Sequence, residues 1–190
     1  MLHIILGLGN PGADYEGTRH STGRMFLEHV RKELDFPEWE PDKKLKALVS
    51  EGKAGKHTLM LMMPETFMNK SGSSLSLMKS ALPKPERVAV VYDDLDLPLG
   101  RMKLAFDRGS GGHRGLESVI RALKTKAFLR VRIGISPKKK PHGDKNVQNF
   151  ILGKFKSDEV KALRPVFKKA LGAISVWVAE GKEQAINVSN

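Results

Sequence analysis

Hydrophobic and polar positions fall into short blocks whose period switches between that of a strand and that of a helix. Leu2–Leu6 is an apolar run ending on Gly7, the pattern of a buried strand. Met25–Leu34 spaces Phe26, Leu27, Val30 and Leu34 for one helix face. Leu45–Glu51 and His57–Met63 flank a Gly-Lys-Ala-Gly segment and predict a hairpin. Leu75–Leu82 predicts a helix stopped by Pro83 and Pro85. Val88–Tyr92 is a strongly β-prone run with Asp93 and Asp94 directly after it, and Arg101–Phe106 is a weaker strand. Leu116–Leu123 repeats at helical spacing, and Leu129–Ile135 alternates as a strand does. Ser157 is placed to cap a last helix running to Gly181, with Asp158 and Glu159 in the first turn, where the helix dipole favours acids. Strands and helices alternate without a repeat, a low-complexity tract or a long linker. The expectation is one domain over residues 1–190, an α/β three-layer sandwich. Its twisted sheet is mixed and mostly parallel, with helices on both faces.

Composition narrows the function. The 190 residues are 40% hydrophobic, enough for a core. No apolar run approaches the roughly 20 residues needed to cross a bilayer. The first residues, Met1-Leu2-His3-Ile4, lack the basic start of a signal peptide. Without cysteine, disulfides and thiolate metal sites are excluded, and a cytoplasmic location is the expectation. Lys and Arg number 33 against 21 Asp and Glu, a net charge of +12, which favours a polyanionic partner. The densest basic run, Lys138-Lys139-Lys140, lies between Pro137 and Pro141. It predicts a solvated loop rather than a groove-reading helix.

Four polar clusters follow a predicted strand or precede a predicted helix, where α/β folds collect their sites. Gly7-Leu8-Gly9-Asn10-Pro11-Gly12 has the letters of a dinucleotide-binding turn. No helix opens inside it, so a nicotinamide site is disfavoured and the glycines are expected to make tight turns that place Asn10. The same loop carries Tyr15 and Thr18-Arg19-His20, and a histidine there can serve as a base near neutral pH. Asp93, Asp94 and Asp96 leave three readings open: a carboxylate orienting His20, a divalent-metal site on Asp94 and Asp96, or a strand end with ordinary turn acids. Thr66–Gly72 offers Asn69 as donor and acceptor and Phe67 as a stacking face. Gly109–Gly115 is a glycine-rich loop opening a helix, a place where anions bind.

Taken in order, these stretches resemble bacterial-type peptidyl-tRNA hydrolases. The likeness rests on Gly7–Gly12 with Tyr15 and Thr18-Arg19-His20, on Thr66–Gly72, on Asp93–Pro98 and on Gly111–Gly115. Val131–Ile135 and Asn149–Gly153 extend it, so that it spans most of the chain. The resemblance implies hydrolysis of the ester joining a peptide to the tRNA 3′ ribose, a task in translation and ribosome rescue, without metal or cofactor. It assigns His20 as the base, Asp93 as its supporting carboxylate, and Asn10 as the residue that recognises a blocked α-amino group. Tyr15, Phe67, Asn69 and His113 match substrate contacts, and Lys103 and Arg132 match residues that hold tRNA phosphate. The expected partner is the acceptor stem and 3′ end of peptidyl-tRNA, bound by a monomer with no obligate protein partner and no membrane association.

Four positions depart from the family pattern: Ser21, Tyr92, Ala105 and Arg114. Arg114 stands where the family usually has Asn near the substrate. A guanidinium is larger, always charged and donor-only, and is expected to grip a phosphate of the tRNA 3′ end. Two rival readings remain: an RNA-binding protein on the same scaffold that has lost turnover, and a metal-dependent phosphoesterase using Asp94 and Asp96.

Overall fold

The computed structural model describes residues 1–189. Seven strands form one sheet: β1 (Leu2–Gly7), β2 (Glu40–Asp42), β3 (Ala47–Ala54), β4 (His57–Pro64), β5 (Val88–Pro98), β6 (Met102–Phe106) and β7 (Leu129–Ser136). The order is β2-β3-β4-β1-β5-β7-β6. The central pairs β4–β1, β1–β5 and β5–β7 are parallel, and the edges are closed by the antiparallel pairs β2–β3, β3–β4 and β6–β7. Helices α1 (Thr22–Glu33), α2 (Ser73–Leu77), α3 (Arg114–Leu123), α4 (Asp144–Leu152), α5 (Ser157–Glu180) and α6 (Lys182–Ser189) complete the chain.

Strand alternation separates two cores. Ile5, Ala89, Val91, Val131 and Ile133 face Phe26, Leu27 and Val30 of α1 and Phe167, Ala170 and Trp177 of α5. Ile4, Leu6, Val88, Val90 and Tyr92 face Leu75 of α2 and Leu116 and Val119 of α3. Both faces of the parallel centre are therefore covered, as its continuous apolar runs require. The expected α/β sandwich is the fold found.

Three elements differ from the sequence expectation. β5 continues through Pro98 instead of ending at Tyr92, with an irregular register between Asp94 and Pro98. The acids stay extended because cations meet them: Arg132 Nε lies 2.6 Å from Asp94, and Lys140 pairs with Asp96. The helix begun near Leu75 stops at Leu77, where Lys79 adopts a left-handed φ of 50°. Ser157 does not cap α5. The cap is Lys156, whose backbone N–H donates to the Glu159 carboxylate at 2.7 Å. Helices α4 and α6 have no counterpart in the sequence expectation, since neither shows a clean apolar stripe.

Candidate active site

The parallel strands end together at one pole of the sheet, and the loops beyond them enclose an open cavity of about 1180 Å³. All ten residues singled out from the sequence line it: Asn10, Tyr15, His20, Phe67, Asn69, Asp93, Lys103, His113, Arg114 and Arg132. It is larger than a usual small-molecule pocket. The shape suits the end of a polymer.

Close backbone packing sets the first loop in place. A Cβ on Gly7 would come 2.5 Å from Gly23 O, and one on Gly23 would come 2.3 Å from Val91 O. Gly7 and Gly23 therefore let α1 sit directly on the ends of β1 and β5. This differs from the tight-turn role expected of Gly7, since within Gly7–Gly12 only Gly12 has a positive φ. The first α-helix after the motif begins at Thr22, so the dinucleotide geometry does not form.

His20 lies in a single turn of 3-10 helix, Arg19–Ser21, just before α1. The turn is held from the far end of the chain. Arg19 N donates to Gly153 O at 3.0 Å, and its guanidinium reaches Glu159 at 2.8 and 3.0 Å. The guanidinium also lies over the Phe150 ring, 4.4 Å from its centroid. Ser21 is buried, and the Thr18 hydroxyl lies 3.1 Å from its Oγ.

The parity of β5 turns Asp93 toward α1 while Tyr92 faces α3. The Asp93 carboxylate is 5% exposed, and its oxygens lie 3.0 and 2.9 Å from His20 Nδ1. Its Oδ1 is also 3.3 Å from His113 Nε2. His113 caps α3, its Nδ1 accepting the Leu116 N–H at 3.2 Å. An accepting Nδ1 puts the His113 proton on Nε2, which donates to Asp93. Asp93 likewise draws the His20 proton to Nδ1 and leaves Nε2 with a free lone pair. Burial alone would lift the Asp93 carboxyl, but the two imidazoles hold it far below the usual carboxylate range. Burial works against protonation of His20, yet the charge and hydrogen bond of Asp93 outweigh it and raise the imidazole above its usual 6.5. Arg114 pulls in the opposite direction. Burial, and then Asp94, push the Tyr92 phenol up to about 12, so it stays protonated at every working pH.

Asn10 is oriented by its carbonyl, which accepts the Met68 N–H at 2.8 Å. Its amide N–H groups are left to donate. Phe67 is 62% exposed, in place of the core packing an aromatic ordinarily seeks. Lys103 and Arg132 are cross-strand neighbours on β6 and β7, and Arg132 is already paired with Asp94. Arg114, the first residue of α3, is exposed, and its side chain makes no hydrogen bond or ion pair among the described residues. A cation at a helix N-terminus opposes the dipole, so this placement is unfavourable until an anion arrives.

His20, Asp93 and His113 offer metal-ligand atoms within 4.8 Å of one another. Each is already hydrogen-bonded, and His113 would have to surrender the Leu116 bond or its Nε2 proton to ligate. Asp94 and Asp96 are each occupied by a cation, which opposes the metal reading of those two acids. Sequence reasoning missed Arg19 and α4 as builders of the site, because their partners lie more than a hundred residues away.

The family model described as peptidyl-tRNA hydrolase matches residues 4–190. The peptidyl-tRNA hydrolase of Desulfitobacterium hafniense (strain Y51) is 36% identical over 190 residues, covering 100% of each chain. That of Aquifex aeolicus (strain VF5) is 38% identical over 191 residues, covering 100% of this chain and 96% of its own. The crystal structure of peptidyl-tRNA hydrolase from Acinetobacter baumannii superimposes with a TM-score of 0.89 at 32% identity, covering 98% of this chain and 93% of that one.

Proposed function

The chain belongs to the peptidyl-tRNA hydrolase family, and on that premise we propose that it cleaves the ester between a peptide and the tRNA 3′ ribose with His20 as general base. The observation that carries this is the hydrogen-bond chain from Leu116 N–H through His113 and Asp93 to His20, set in a cavity open enough for a tRNA end.

In this reading His20 Nε2 takes a proton from water as the water oxygen attacks the ester carbonyl. Asp93 stabilises the imidazolium that forms. The tetrahedral intermediate then collapses, the C–O bond to the ribose breaks, and the imidazolium returns its proton to the 3′ oxygen. Water is consumed, and a peptide acid and free tRNA are released. A placed base contributes about 10²–10⁴ in rate. A donor on the developing oxyanion contributes roughly 10²–10³, and Asn69 is the candidate.

Asn10 supplies the selectivity. With its carbonyl occupied by Met68, it presents donors. An acylated α-amino group offers them a carbonyl acceptor. A free ammonium offers only more donors and a charge, a mismatch of about 1–3 kcal/mol. Tyr15, Phe67 and His113 border the place where the substrate end would lie, and Lys103, Arg132 and Arg114 face tRNA phosphates. The protein acts in this reading as a cytoplasmic monomer on the acceptor stem.

The test is incubation with N-acetyl-aminoacyl-tRNA and with free aminoacyl-tRNA, in EDTA, beside His20→Ala. Cleavage of the blocked substrate alone, lost in His20→Ala, is the expected result. Retained tRNA binding without cleavage would identify a binding protein instead, and loss of activity in EDTA would revive the metal reading.

A further inference from the structure

The opposite pole of the sheet, where the parallel strands begin, holds a second pocket of about 370 Å³. Its wall includes His3 at the start of β1, Lys56 and His57 at the start of β4, Arg87 just before β5, and Trp177 of α5. It stands a strand length, roughly 20 Å, from His20.

His3 and His57 are each 6% exposed, with ring centroids 5.0 Å apart. The Nδ1 atoms of both are buried without a hydrogen-bond partner. Buried polar atoms are ordinarily satisfied, so two orphans in adjoining rings call for an explanation. The side chains of Lys56 and Arg87 make no ion pair or hydrogen bond among the described residues. Burial first, with Arg87 and His57 contributing, lowers the His3 imidazole to about 4. Burial and the nearby cations, first the N-terminal ammonium and then Lys56 and Arg87, lower His57 as well. Glu86 and Glu183 stand at the exposed rim, where the Glu183 carboxylate faces Lys182 at 3.6 Å.

The sign of the surroundings decides what fits. Two imidazoles could begin a metal site, but Lys56 and Arg87 repel a cation, and among the described residues no carboxylate completes a cluster there. An anion is drawn to both cations. A tetrahedral oxyanion also gives each imidazole an acceptor toward which a ring nitrogen can turn, and a guanidinium matches its geometry. We propose that this pocket is a second binding site, for the phosphate group of a phosphorylated ligand, independent of the ester-cleaving site.

The probe is inorganic phosphate, followed through the histidine side-chain NMR resonances of the full protein, with chloride at matched ionic strength as control. The expected result is a saturable shift of His3 and His57 that chloride does not produce. Arg87→Gln should weaken phosphate by about tenfold or more, the usual loss for a charge-assisted hydrogen bond. Hydrolysis of N-acetyl-aminoacyl-tRNA should stay unchanged in that variant, as should the phosphate response of His20 and His113. A short RNA oligonucleotide that displaces phosphate here assigns the source to a nucleic-acid backbone, and failure to displace assigns it to a free phosphorylated molecule. No saturable shift, an equal shift with chloride, or an unaltered affinity in Arg87→Gln overturns the proposal. Lys56→Gln, at an exposed position, provides a second variant should Arg87→Gln perturb folding.

Discussion

Replacing Asp93 by Asn removes one charge and reverses one hydrogen bond, and the geometry states which one. Asp93 Oδ1 serves His113, whose proton is pinned to Nε2 by the Leu116 N–H. The Asn oxygen must therefore stay at that position. Its amide nitrogen then takes the place of Oδ2, 2.9 Å from His20 Nδ1. The retained oxygen still lies 3.0 Å from His20 Nδ1, but the facing amide N–H opposes a proton there, so His20 shifts toward the Nε2–H tautomer and that fraction loses the lone pair that should meet water. The loss is that of a base in the wrong tautomer, between about 10² and 10⁴ in kcat. A second effect runs with it. Without Asp93, burial and Arg114 act on His20 unopposed and its pKa falls below 6.5. A base works when neutral, so activity rises with pH through that pKa. The acid limb of the residual activity should therefore move to lower pH. The assay is single-turnover cleavage of N-acetyl-aminoacyl-tRNA from pH 5 to 8, alongside tRNA affinity, which should change less than about twofold. In a His113→Ala background the Asn can turn its oxygen to His20, so the same substitution should be less damaging there, a coupling read from a double-mutant cycle. More than a tenth of wild-type kcat in Asp93→Asn, or a loss carried wholly by KM, contradicts this account of the dyad.

Arg114→Asn should weaken tRNA binding and, by removing a cation near His20, move the acid limb of kcat to higher pH; higher activity at unchanged tRNA affinity would end the phosphate-grip reading. Lys103→Gln should reduce the slope of log affinity against log salt by about one, with little dependence on tRNA sequence. Gly23→Ala puts a methyl 2.3 Å from Val91 O and 2.4 Å from Leu8 N, both backbone atoms. It should lower stability by about 3 kcal/mol in urea unfolding. Glu28 meets some burial, which would raise it, but hydrogen bonds from Arg31, Trp39 and Lys32 hold its carboxyl down at about 2. Its contribution is present above the ordinary 4.5 and is lost as pH falls toward 2. The urea midpoint of Glu28→Gln should therefore lie below wild type at pH 6 and converge with it at pH 2.

Periodicity disclosed the elements that bury a face: β1, α1, the β3–β4 hairpin, β5, α3, β7 and α5 all show it. It failed where charge pairing across space sets the conformation. Asp94 and Asp96 read as turn acids, and only Arg132 and Lys140, 38 and 44 residues away, keep them in a strand. For the candidate site, the residue types were legible as four clusters. Their convergence followed from strand ends meeting at one pole. The second hydrogen bond to Asp93 was not legible, because it depends on which nitrogen of His113 the helix occupies. The pocket around His3 and His57 was equally hidden, since neither residue sits in a local pattern unusual for a strand start.

The staple on Arg19 has a consequence for biosynthesis. The turn bearing His20 is held by Gly153, Phe150 and Glu159, partners that leave the ribosome long after it does. Until residue 159 has emerged, the sheet can assemble in part, but the turn that carries the base lacks these three supports. A nascent chain is itself a peptidyl-tRNA, the very ester this fold is proposed to cut. While most of its length is being made, the chain is therefore a substrate before it is an enzyme, and the order of its own contacts delays the moment at which it becomes both.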